Sequence, residues 1–146
     1  LTARLIRHSA GDFHVELLSQ EIRRPSLDEA RELKIASGCY ALIRQVYLCC
    51  GDKAVVYART VIPLSTLTGA QRSYRNLGAR PLGAMLFADR SMEREEVVVT
   101  QLQTDSDLYE KTGAQGEPVW GRRSVFKVGG KPLLVSEYYL PDLFCC

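Results

Sequence analysis

Histidine and tryptophan are scarce: the 146 residues hold only His8, His14 and Trp120 of these two types. With no H-E-x-x-H and no C-x-x-C, there is no zinc-type ligand set, and neither metal nor cofactor is expected. The five cysteines (Cys39, Cys49, Cys50, Cys145, Cys146) are odd in number and twice adjacent, which suits neither a secreted disulfide framework nor a metal knuckle. They read as small buried hydrophobes or tail residues. Charge of one sign is also lacking. Nineteen basic residues against 17 acidic leave +2, and they are scattered, so no nucleic-acid partner is expected. No apolar run approaches the roughly 18 residues of a membrane span. No signal peptide is visible, so the expected compartment is the cytoplasm. The nucleophile elbow G-x-S-x-G, the P-loop and the dinucleotide fingerprint are missing too. The first residue is Leu1 rather than Met, so residues upstream are expected to have been lost.

What is present is ordinary globular material, 46% hydrophobic and 25% charged, of a length suited to one domain over 1–146. Thr2 can cap a short helix to about His8, which reads as a solvated position. Phe13, Val15 and Leu17 alternate with polar residues as in a half-buried strand. Residues 21–39 read as polar and irregular, with Ser26 and Glu29 spaced as a capping box. Two β-rich runs, YALIRQVYLCC and AVVYARTVI, flank Gly51-Asp52, and Pro63 ends the second. Helices are expected over Thr68–Leu77 and after Pro81, then a valine-rich strand over Glu96–Leu102. A polar excursion with one helical turn near Leu108 precedes a second hairpin, Val119–Val128 and Lys131–Leu140, about Gly129-Gly130. Hairpins with helices inserted between them predict an α+β fold on a single, mainly antiparallel β-sheet.

Register sharpens the reading. A two-residue turn at Gly51-Asp52 pairs Cys50 with Lys53, and an unbroken ladder then sets Arg44 opposite Arg59. Their neighbours on that face would be Leu42 with Val61, Val46 with Tyr57 and Leu48 with Val55. Two buried like charges need an answer, either internal carboxylates or an anionic ligand held by planar guanidinium forks. The second hairpin, counted the same way, pairs Arg122 with Glu137. Glu137 sits among Leu133, Val135 and Tyr139, and is either a structural partner for Arg122 or a polar group aimed into a pocket.

The segments IRQVYLCCGDKAVVYARTVIPLSTL, LGARPLGAMLF and WGRRSVFKVGGKPLLVSEYYLP resemble bacterial chorismate lyases, from Leu1 to about Pro141. The motifs R-T-V-x-P-x-S-T-L, P-L-G and W-G-R-R-S…G-K-P-L-L…E carry the likeness. It implies a chorismate lyase-like fold and a cofactor-independent carbon–oxygen lyase that converts chorismate to 4-hydroxybenzoate and pyruvate at the head of quinone synthesis. It further implies that Arg44 holds the ring carboxylate, that Leu82 and Leu1 offer backbone N–H groups to the ligand, and that Glu137 meets the ring hydroxyl. Arg59 matches a second basic residue that affects catalysis. Ligand-sensing domains of a large family of bacterial repressors resemble the same fold, and would bind a small anion without turning it over. A catalytically silent member of the fold is the third reading.

Overall fold

A computed structural model of the chain describes residue 7 and residues 12–145. The helix expected near Thr2–His8, and Leu1 with it, lies outside the described residues. Six strands form one antiparallel sheet in the order β1-β2-β3-β6-β5-β4. They are β1 (Phe13–Arg23), β2 (Ala41–Cys50), β3 (Lys53–Pro63), β4 (Glu93–Leu102), β5 (Val119–Val128) and β6 (Lys131–Tyr139). Among the described residues of 12–145, two short α-helices interrupt them, α1 (Leu27–Leu33) and α2 (Leu82–Ala88), with 3-10 segments at Gly69–Asn76, Tyr109–Thr112 and Pro141–Cys145.

The central strands are apolar on both sides because both sides are covered. On one face α2 and the Gly69–Asn76 segment pack over Leu42, Ile62, Phe126 and Leu133. On the other, Leu33 of α1 packs over Ile43, Val61 and Leu134, while Tyr57, Tyr138 and Leu140 cluster with Leu102. The rings of Tyr57 and Tyr138 stack there with centroids 6.1 Å apart. All ten β3 residues after Lys53 are buried or half-buried, so the strand shows no polar–apolar alternation.

The expected hairpins form, but one departs from an unbroken ladder. Cys50 pairs with Lys53 and Cys49 with Ala54, as counted. A β-bulge then absorbs Val55, so Leu48 meets Val56 and Arg44 meets Thr60 rather than Arg59. Arg59 pairs with Gln45 and lies on the opposite face, which corrects the expectation of two facing arginines. The face predicted to carry Val61, Tyr57 and Val55 carries Ile62, Thr60, Ala58 and Val56 instead. The second hairpin keeps its count throughout and sets Arg122 against Glu137. Strand β1 runs to Arg23, beyond the polar boundary expected at residue 21, because its backbone continues the ladder with β2.

Two of the motif strings found in the sequence touch one another. Thr66, fully buried, donates from Oγ1 to the Pro132 carbonyl at 2.7 Å, and Lys131 Nζ reaches the Thr68 carbonyl at 2.9 Å. These bonds tie S-T-L to G-K-P-L-L.

Gly121 of W-G-R-R-S has a packing reason. An added Cβ would lie 2.3 Å from the Glu137 carbonyl oxygen and 2.6 Å from Cδ1 of Tyr138. G121A is therefore expected to cost about 1–3 kcal/mol by forcing β5 away from β6. Thermal unfolding should show the loss as a drop of several degrees; an unchanged midpoint would mean that the strands separate without strain.

Candidate active site

The face of the sheet beneath α2 holds a cavity of about 430 Å3, within the range of small-ligand sites. Its walls are mainly apolar, with Val46, Leu48, Leu86 and Phe126 among them. Arg44, Arg94, Arg122 and Glu137 are its charged residues.

Arg44 comes from the middle of β2 and is 3% exposed. Its Nη2 donates to the carbonyls of Gly78 and Arg80, both at 2.8 Å, and Nε makes a longer bond to Gly78 at 3.3 Å. Among the described residues no carboxylate lies within ion-pair distance of it. Burial pushes its pKa down to about 10, with no acidic partner among the described residues to offset the loss of water. A buried guanidinium left in that condition is prepared for an anion. The carbonyl ties hold an otherwise uncompensated cation in place.

Glu137 enters from β6. Its Oε1 accepts from Arg122 Nε at 3.2 Å, across the strand pair that register predicts. The structural reading of Glu137 and the pocket reading therefore both hold: the carboxylate is paired and also lines the cavity. Leu82 is the first residue of α2 and is nearly buried against the cavity. First-turn N–H groups have no partner within their own helix, and Pro81 supplies no side-chain cap.

Arg59 is elsewhere. Its Nε and Nη2 donate to the two oxygens of Glu29 at 2.8 and 3.0 Å, beneath the sheet. Glu29 also completes the predicted capping box, with Ser26 N donating to its Oε1 at 3.0 Å and its own N–H reaching Ser26 Oγ at 3.1 Å. Burial raises the Glu29 pKa, but the Arg59 ion pair and hydrogen bonds outweigh it, so the net shift is downward. Gln45 continues this lower network by bonding Ser19 at 3.1 Å and accepting from the Tyr57 hydroxyl. An internal carboxylate thus answers one of the two arginines flagged in the sequence, and the other has no acidic partner among the described residues.

Two polar lining residues, Thr60 and Arg94, were not legible in the sequence. Thr60, buried opposite Arg44, was hidden by the β3 bulge. Arg94 was hidden by a second irregularity, in β4, between Arg94 and Val97. That bulge pairs Arg94 with Phe126 and turns its side chain to the cavity face, where an unbroken strand would send it to the other side.

Comparison with known proteins agrees with this geometry. A family described as "Chorismate lyase" matches residues 1–145. A protein named probable chorismate pyruvate-lyase in Methylococcus capsulatus is 42% identical over 144 residues, covering 97% of this chain and 88% of its own. One of the same name in Aromatoleum aromaticum is 38% identical over 149 residues, covering 98% and 80%. Among solved structures, the PhnF C-terminal domain superposes with a TM-score of 0.71 at 13% identity, over 88% of this chain and 83% of that one. The C-terminal domain of the histidine utilization repressor from Pseudomonas syringae gives 0.69 at 14%, over 89% and 92%. At such low identity these two share the fold alone. A whole-length family match, close relatives of one name and a buried arginine facing a small apolar cavity agree: the chain belongs to the chorismate lyase family.

Proposed function

We propose that this protein eliminates pyruvate from chorismate to give 4-hydroxybenzoate, a carbon–oxygen lyase reaction that supplies quinone biosynthesis in the cytoplasm. The observation that carries the reading is Arg44, a buried guanidinium with no protein carboxylate, standing in the wall of a cavity of about 430 Å3. In the reaction the ether bond at ring C3 breaks and the C4 hydrogen leaves as a proton. The electrons of the C4–H bond complete the aromatic ring. The departing enolpyruvate takes a proton on its methylene carbon and becomes pyruvate. Aromatisation supplies the driving force, so positioning and fixed charge are the protein's tasks.

Arg44 holds the ring carboxylate with a planar fork, and the Leu82 N–H adds a second donor to the same group. Glu137 accepts from the C4 hydroxyl, which fixes the ring and the hydrogen that must leave. A cyclic transfer of that proton to the methylene carbon needs no separate base. The apolar walls exclude water from the interval in which the ring is breaking its bond.

Purified protein mixed with chorismate should show the ultraviolet absorbance of 4-hydroxybenzoate growing with matching release of pyruvate. Chorismate that binds and persists unchanged would instead make this a sensing module, the behaviour suggested by the repressor domains that share the fold. Absence of both binding and product would rule out both functions.

A further inference from the structure

Chorismate carries two carboxylates, and Arg44 accounts for one. The correction to β3 removes Arg59 from the cavity, so the carboxylate on the enolpyruvyl arm needs another partner. Three guanidinium groups and one carboxylate line the cavity, a surplus of two positive charges. One of the three, Arg122, is already bonded to Glu137 at 3.2 Å. Arg44 and Arg94 remain.

Arg94 has the features of a seat at the cavity's mouth. The bulge between Arg94 and Val97 turns it toward the cavity. Its Nη2 donates to the buried Ser124 hydroxyl at 3.1 Å, and its guanidinium carbon lies 5.2 Å from the centroid of the Phe126 ring. Ring and hydroxyl fix the plane of the fork while leaving its charge without an acid: among the described residues no carboxylate is within ion-pair distance of Arg94. Arg94 is exposed, whereas Arg44 is buried, so the two cations stand at different depths of one cavity. We infer that Arg94 binds the carboxylate of the enolpyruvyl side chain, so that the deep arginine grips the part of the substrate that stays and the outer one grips the part that leaves. This rests on the elimination proposed above and adds the subsite that distinguishes the dicarboxylate substrate from the monocarboxylate product. Its position near solvent also gives the freed pyruvate a short way out.

The test compares ligands that do and do not carry the second carboxylate. Arg94→Ala is expected to raise KM for chorismate roughly ten- to hundredfold, the range for losing a charge-assisted bond, with a smaller change in kcat. The inhibition constant of 4-hydroxybenzoate should stay within about twofold, because the product has nothing to offer Arg94. Arg94→Lys, which keeps the charge, should recover part of the loss. Equal weakening of chorismate and 4-hydroxybenzoate would assign Arg94 a structural role and overturn the inference. So would a KM within about twofold of the parent. Should the parent bind chorismate without turnover, elimination fails as a reading, and the chorismate dissociation constants of parent and Arg94→Ala decide the subsite by the same margins.

Discussion

Arg44→Met is expected to reduce kcat/KM for chorismate by about a thousandfold, toward the upper part of the range for truncating a buried charge pair. The size follows from where the charge sits. Arg44 is 3% exposed, so water should not replace it in its proposed role as partner of the ring carboxylate. Lysine at this position should restore only part of the activity, since an ammonium lacks the fork that meets a carboxylate in two places and also reaches the Gly78 and Arg80 carbonyls. The fold should survive the change to Met. Burial holds the Arg44 pKa down at about 10, so keeping the group charged lowers stability, and methionine removes that cost along with the carbonyl bonds. The sign is that of a base depressed on folding: the cost is present at every pH below about 10 and is relieved as pH rises past that value, because the folded state gives up its proton before the unfolded one. Steady-state kinetics with circular dichroism and thermal unfolding read both effects. Near-parental turnover by a folded Arg44→Met protein would remove the assignment.

The largest effect on stability is expected beneath the sheet. Arg59→Met leaves Glu29, 3% exposed, as a buried carboxylate without its cation, which should cost about 3–5 kcal/mol. The midpoint of thermal unfolding should fall by roughly 10 °C for a chain of this size. Glu29→Ala should be similar and add the loss of the capping box, about 1 kcal/mol. Replacing both members with apolar residues, as in Glu29→Met with Arg59→Met, should recover most of the stability, because neither charge is then stranded. Activity should follow the folded fraction in all of these variants. A double variant as stable as the parent but inactive would show that Arg59 acts on the chemistry from the far side of the sheet. The pair also sets an acid limit. Its contribution is complete above the ordinary Glu29 value of 4.5 and is lost as pH falls through the lower folded value. The double variant should lack this part of the acid transition.

Much of the architecture was legible because turn chemistry and apolar runs agree. The Gly51-Asp52 and Gly129-Gly130 turns locate both hairpins, and the spacing of Ser26 and Glu29 locates the start of α1. Glu137 facing Arg122 was legible for the same reason, since no irregularity intervenes between the turn and the pair. Arg59 was misplaced because Val55, Val56 and Tyr57 are all fully buried, so no polar residue marks which side of β3 each one takes. A bulge in a strand covered on both faces leaves no trace in hydropathy. Arg94 was missed for a related reason. Glu93, Glu95 and Glu96 around it are exposed, and in sequence the whole stretch reads as solvated. The segment expected as a helix over Thr68–Leu77 is a 3-10 segment over Gly69–Asn76, tied at its start by Gln71 N–H to the Thr68 carbonyl at 3.2 Å.

The bonds from Arg44 to Gly78 and Arg80 attach the chain just before α2 to the floor of the sheet through the same side chain that is proposed to hold the ligand. Occupancy and anchorage are therefore linked functions, and linkage runs both ways with equal free energy. An anion that favours the tethered arrangement tightens the tether, and a change in the segment that slackens it weakens the anion by the same factor. On the proposed assignment, changes at Gly78 and Arg80 should therefore alter affinity through Arg44.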